Sequence, residues 1–350
     1  MDGDHLMRTL AIDIGGAHLK TIDPGGRAAV EPLAVWRSPD RLAPALARRV
    51  READPEQVLV TMTAELCDCF AAGSEGVRFV VDAAARAAGG RPLRFWSTRG
   101  RFLAPDEAKA RPREVAASNW HALASAVAER MPGAELLIDI GSTTSDLIPL
   151  RRGRPSAIGL TDTQRLSTGE LVYVGTSRTP LCALADRVSL RSRRYRVMAE
   201  LFATSADVFV LTGDAPARPE FRDTADGRPL GRQEAAARVL RMIGADLESH
   251  TVADALDLAE QFAGALLDRL AGALEQVLEQ AGRPREVVVS GSGEWLAARL
   301  CGRVLPRAGV HALSEAIGEE ASAAACAWAL RELAPVAAAA GMGSSAGSRD

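Results

Sequence analysis

Asp13 and Asp139 occupy the same place in two copies of one phrase. "LAIDIGGAHLKTID" spans residues 10–23 and "LLIDIGSTTSDLIPL" spans residues 136–150. In each, an apolar strand ends in Asp, turns at Gly and continues through small, hydroxylated or cationic residues. A hairpin of this kind presents backbone N–H groups at its tip, and the glycine lets an anion approach the chain closely. Phosphate is the natural ligand. Gly15, Gly16 and Lys20 supply turn and cation in the first copy, whereas Gly141, Ser142, Thr143 and Thr144 supply turn and hydroxyls in the second. His18, inside the first hairpin, can donate to phosphate or pack against the neighbouring strand. Asp13 and Asp139 are placed to hold Mg²⁺ through water, because magnesium keeps part of its hydration shell and also binds phosphate oxygens. One copy alone would be an ordinary hairpin; two at half-chain spacing argue for a single site faced from both sides.

Other residues add chemistry. "VVVSGSGEWLA" (residues 287–297) runs from a strand through Gly291, Ser292 and Gly293 into a helix start. There a nucleotide base or another substrate body can lie against bare backbone while anions meet the helix N-terminus. Glu65 closes "VTMTAEL", a strand whose C-terminal end should face a cleft, although an acid that merely starts a helix reads the same way. Asp146 begins the outgoing strand of the second hairpin, as a base or as a cap. Glu65 and Asp146 are the candidate general bases. Arg178, within "ELVYVGTSRTPL", can bind diphosphate or a carboxylate through two parallel hydrogen bonds. Trp120 reads as core, or else as an aromatic platform for a substrate ring, and the arginines of Arg187–Arg196 as a solvated helix face, or else as a receiver of an acidic substrate.

These residues need elements to hold them. The first third reads as strands at Thr9–Ile14, His18–Ile22 and Pro32–Trp36, with Asp23–Arg27 as a turn. A helix over Pro39–Ala53, a buried strand within 57–66, a helix over Gly76–Ala88, a strand or hairpin over 92–103 and a helix over 117–131 follow. The second half restarts with strands at Glu135–Ile140 and Asp146–Leu150 and is irregular from Arg151 to Leu190. Beyond that the pattern predicts a helix near Arg196–Ala203, a strand over 207–213 and helices at about Gln233–Leu247 and Val252–Gln280. A strand, Gly turn and helix over 285–300 and an Ala-rich helix at about Ser314–Leu333 complete it. The expected domains are 1–134 and 135–335, with residues 336–350 a disordered tail.

Composition sets the outer limits. The 350 residues have room for two ordinary domains, and a net charge of −3 provides no field to attract nucleic acid or an anionic membrane. No apolar run reaches bilayer length, and the first residues do not read as a signal peptide. Five cysteines, with Cys67 and Cys69 as a C-x-C, fit free thiols in a reducing cytoplasm better than disulfides or zinc. Small-molecule substrates are the expected partners.

In their order, the two hairpins and the Gly-rich turn resemble the actin-like ATPase superfamily of sugar kinases, heat-shock chaperones, acetate kinases and the hydantoinase/oxoprolinase group. The resemblance covers about residues 8–333 and implies an α/β fold of two ribonuclease-H-like domains facing a central cleft. "AIDIGGAHLK", "VTMTAEL", "AASNWHA", "DIGSTTSDLIP", "ELVYVGTSRTPLCAL", "ELFATSADV", "TADGRP" and "SGSGEWLA" together resemble the hydantoinase/oxoprolinase-like proteins linked to tetrahydromethanopterin C1 transfer and methanofuran biosynthesis. That narrower resemblance implies a transferase joining an aminomethyl-furan-methyl diphosphate to the phenol of γ-glutamyltyramine, releasing diphosphate with Mg²⁺ and without ATP. Asp13, Glu65 and Asp146 would then be catalytic, and the two hairpins with His18, Lys20 and Arg178 would cradle the diphosphate. Competing readings are an ATP-dependent small-molecule kinase, a hydantoinase/oxoprolinase-type ring hydrolase and a nucleotide-regulated switch.

Overall fold

A computed structural model describes residues 7–334 of the chain. The expected tail over 336–350 lies outside the described residues. The first sheet is built from β1 (Thr9–Ile14), β2 (His18–Ile22), β3 (Ala28–Pro32), β4 (Gln57–Met62), β5 (Leu93–Ser97) and β6 (Arg101–Leu103), in the order β3-β2-β1-β4-β5-β6. The second half supplies β7 (Leu136–Ile140), β8 (Ser145–Arg151), β9 (Arg154–Pro155) and β10 (Leu171–Val172), then a separate hairpin of β11 (Arg187–Leu190) and β12 (Arg193–Arg196). With β13 (Glu286–Ser290) and β14 (Gly309–Ala312) its sheet runs β10-β8-β7-β13-β14, and β9 pairs with β8.

The two sheets repeat one design. In each, the first strand pairs antiparallel with the second, and the second with the third. The first strand also pairs in parallel with the strand that follows the crossover. These are two α/β halves of like strand order. Parallel central strands are covered on both faces and so must be apolar throughout; all six residues of β1 are buried.

Two helices lie between the halves. Asn119–Arg130 is buried without interruption from Trp120 to Ala128, so it is an interior helix rather than an amphipathic one. Ala325–Glu332 packs against it and against β1, β2 and β4 of the first sheet. One core cluster accordingly joins Ala11, Leu59 and Trp120 to Leu137, Ile148, Val288 and Trp328. The last helix of the second half thus rests on the first sheet. No helix among the described residues is long and apolar enough to cross a membrane.

The structure departs from the sequence reading in several places. The third strand is Ala28–Pro32, not Pro32–Trp36; the Asp23–Arg27 turn closes as expected and the strand starts directly after it. The apolar run at 207–213 is helix, Ser205–Thr212, started by a reciprocal Thr204–Asp207 cap. Seven of its residues are buried, and such a run has no periodicity to separate strand from helix. Arg187–Arg196 is a β-hairpin, and no helix forms near Arg196–Ala203. The Ala-rich segment breaks into Leu313–Ile317, Glu319–Ala323 and Ala325–Glu332, with Gly318 at φ +87° separating the first two.

Gly76 ties this framework to the chemistry. A Cβ there would lie 2.5 Å from the Glu65 carbonyl oxygen, so the helix Gly73–Ala88 sits flush on the Glu65 backbone. In an ordinary helix, Gly→Ala gains roughly 1 kcal/mol. Here Gly76→Ala should instead cost about 1–3 kcal/mol through overpacking, read as a lower thermal midpoint.

Candidate functional site

Strand register brings the charged residues together. Lys20 stands opposite Asp13 across β1–β2, and Asp146 opposite Asp139 across β7–β8, with Ser290 beside Asp139 on β13. Asp13 is buried, its Oδ1 has no hydrogen-bond partner, and burial raises its carboxyl pKa while Lys20 opposes the shift. Burial, reinforced by Asp146 and opposed by Lys20, pushes Asp139 up to about 6. Burial works against the Lys20 ammonium, but Asp13, Cys326 and Asp139 outweigh it and raise its pKa. Lys20 therefore senses carboxylates from both halves.

The orphaned Asp13 oxygen and the raised Asp139 carboxyl fit a divalent cation. Among the described residues, no group of three or more His, Cys, Asp or Glu is arranged to hold a metal alone. A cation here would complete its shell with water and ligand oxygens, as magnesium does at phosphates. The Cys67 thiol is pushed up to about 11 by burial and by Cys69.

Both hairpin tips present unused donors. The Gly15 N–H closes on the His18 carbonyl at 3.0 Å, and the Gly141 N–H closes on that of Thr144 at 2.9 Å. The N–H groups of Gly16 and Ala17, and those of Ser142, Thr143 and Thr144, have no acceptor among the described residues. Residues 175–178 brace the second tip: Ser177 and Arg178 donate their N–H groups to the Ser142 carbonyl at 3.0 and 2.9 Å. A Cβ on Gly175 would stand 2.6 Å from the Gly141 carbonyl, so only glycine allows this contact. Arg178 is delivered to the tip by its own backbone, with its guanidinium 3.9 Å from Asp223. The His18 pKa is lowered first by burial and then by Lys20 and Arg178, which leaves a neutral ring able to donate one N–H.

The glycines of the third motif serve packing. A Cβ on Gly291 would lie 2.4 Å from the Ile140 carbonyl, and one on Gly293 would lie 2.6 Å from the Ile140 side chain. The Ser292 hydroxyl meets that of Thr176 at 3.1 Å. This turn is pressed onto the end of β7, where it supports Asp139.

Glu65 lies in the one-turn helix Ala64–Leu66, directly after β4. It is 1% exposed; its Oε1 accepts the Ala117 N–H at 2.7 Å and its Oε2 has no partner. Burial pushes it up to about 7, partly offset by backbone hydrogen bonds and reinforced by Asp162 and Asp13. Asp146, the other expected base, is instead held by the Arg165 Nη2 at 2.5 Å in a buried ion pair.

Arg165 and Asp162 escaped the sequence reading. The Arg165 guanidinium carbon lies 4.1 Å from the Trp120 ring centroid. The available signal was the Thr161–Gln164 capping box, which starts the helix Asp162–Thr168 inside the supposedly irregular stretch. A groove lined by Phe209, Asp214, Glu260 and Arg299 lies apart, with its charge closed by the Arg299–Asp214 pair at 2.7 Å.

Comparison with known proteins fits this geometry. A synthase of Methanocaldococcus jannaschii, (4-{4-[2-(γ-L-glutamylamino)ethyl]phenoxymethyl}furan-2-yl)methanamine synthase, is 31% identical over 327 residues, covering 93% of this chain and 96% of that protein. The synthase of the same name from Methanococcus vannielii is 30% identical over 159 residues, 45% of this chain and 71% of its own. A solved glucokinase of the ROK family from Streptomyces griseus, with glucose and AMPPNP, aligns at 15% identity over 95% of this chain and 99% of its own, with a TM-score of 0.47. A hydantoinase/oxoprolinase family model matches residues 56–333. The chain belongs to the hydantoinase/oxoprolinase family.

Proposed function

We propose that the chain is a transferase of methanofuran-type cofactor biosynthesis. It would condense an aminomethyl-furan-methyl diphosphate with the phenol of γ-glutamyltyramine, or a related tyrosine-derived phenol, to an aryl ether. The observation that carries the reading is the pair of hairpin tips with five unused N–H groups around an Asp13–Lys20–Asp139 unit whose Asp13 is buried. It is supported by relatives whose name describes a phenoxymethyl-furan.

In this reading the furfuryl C–O bond breaks and its electron pair leaves with the diphosphate. A phenol oxygen lone pair forms the new C–O bond, and the phenol proton passes to Glu65. Gly16, Ala17, Ser142, Thr143 and Thr144 donate backbone N–H groups to the leaving anion, while Lys20, Arg178 and neutral His18 add charge and a further donor. Preorganised donors of this sort stabilise charge as it develops. Mg²⁺ held by Asp13 and Asp139 would add positive charge beside the leaving diphosphate. Glu65 suits the proton acceptor because a base works best with a pKa near the operating pH, and burial holds it at about 7. Asp146 keeps Arg165 in place. Five unpaired cysteines suit a reducing cytoplasm.

The test mixes purified protein, Mg²⁺, the furan diphosphate and γ-glutamyltyramine without ATP and follows products by mass spectrometry. The coupled ether and free diphosphate are expected. ATP hydrolysis without ether would restore the kinase or ring-hydrolase reading. The pH dependence of kcat should rise through about pH 7 as Glu65 ionises. Glu65→Gln should lose that limb and roughly 10²–10⁴-fold in kcat; an unchanged profile would remove Glu65 from the chemistry.

A further inference from the structure

The charges around Arg165 do not balance. Its Nη2 serves Asp146 at 2.5 Å and the Glu170 carbonyl at 3.1 Å, while its Nη1 stands 4.0 Å from Asp162. The Asp162 carboxylate accepts no hydrogen bond among the described residues. Arg165 covers Trp120, and one helical turn earlier the Ala117 N–H holds Glu65. One cation therefore faces two carboxylates, Asp146 and Asp162, on a line of contacts that runs on through Trp120 toward Glu65. Three polar atoms on this chain have no partner: Glu65 Oε2, Trp120 Nε1 and Arg165 Nε, on side chains only 1%, 2% and 1% exposed. Unpaired buried donors and acceptors of this kind mark a missing ligand or solvent.

We propose that Asp162 binds the primary ammonium of the furan substrate. A bare metal ion suits this place poorly, since it offers no acceptor to the two free N–H donors and would sit against a guanidinium. An aminomethyl-furan presents both kinds of group: an ammonium for the carboxylate and a ring oxygen for Trp120 Nε1 or Arg165 Nε. Burial, with Asp146 adding and Arg165 opposing, raises the Asp162 pKa, as expected of an acid short of a cation. The diphosphate would then lie at the hairpin tips and the amine at the Trp120 end. This assignment rests on the reading that an aminomethyl-furan is the substrate.

Two measurements separate the site from the reaction. Ligand-observed NMR on the full chain compares furfurylamine with furfuryl alcohol and needs no turnover. The amine should bind at least about tenfold more tightly, the scale of one charge-assisted hydrogen bond. Asp162→Asn should erase that preference, and Asp162→Glu should keep part of it. In the coupling assay Asp162→Asn should raise KM for the furan diphosphate about tenfold, hold kcat within about threefold, and leave the KM of a des-amino diphosphate unchanged. Equal binding of amine and alcohol to the wild type, or an unaltered preference in Asp162→Asn, overturns the site. Amine preference that tracks Asp162 without any coupling keeps the site and refutes the reaction.

Discussion

A single lysine shared by two carboxylates, one buried and one half-buried, organises the molecule. Lys20 is set opposite Asp13 by the β1–β2 register, and Asp139 reaches it from the other half. Two acids and one cation in a water-poor place leave negative charge in excess, and unpaired buried charge costs several kcal/mol. The fold offsets that cost by the dry packing of the helices Asn119–Arg130 and Ala325–Glu332 between the sheets. Cys326 of the second helix lies beside the same three charges, so the apolar core and the polar site are one structure.

Burial of these carboxyls, with the neighbouring acids adding to it, opposes stability. Glu65 has its pKa raised from 4.5 to about 7, so the fold holds a proton there that the unfolded chain has already released. Its contribution falls as pH rises through that window and is lost above about 7, on the order of 3 kcal/mol. Asp139, raised to about 6, has the same sign. A cation and a ligand that relieve this repulsion would bind the folded chain alone and stabilise it by mass action. Function and instability share a source here, as they often do where charge is held ready for chemistry.

Much of this was legible in the sequence because the duplicated phrase obeys local rules. Asp-x-Gly at the end of an apolar run fixes a hairpin wherever it occurs, and both copies formed as read. The Gly-rich turn after β13 was also found; the close approach of Ile140 that requires Gly291 and Gly293 is a tertiary contact without local signature. Asp146 shows the same limit. Its strand position was evident, but its partner Arg165 lies 19 residues on, among arginines that the sequence cannot rank. The helix Ser205–Thr212 was missed because burial on every side erased its period.

The central claim is that the two hairpins form one site through Asp13 and Asp139. Isothermal titration of Mg²⁺ with diphosphate into the wild type, Asp13→Asn, Asp139→Asn and the double variant tests it directly. If one cation bridges the halves, each single change should weaken binding by about tenfold or more, and the double should cost little beyond either, a strong coupling in the cycle. Losses that simply add, or a single variant that binds like the wild type, would mean two independent hairpins and would contradict the account.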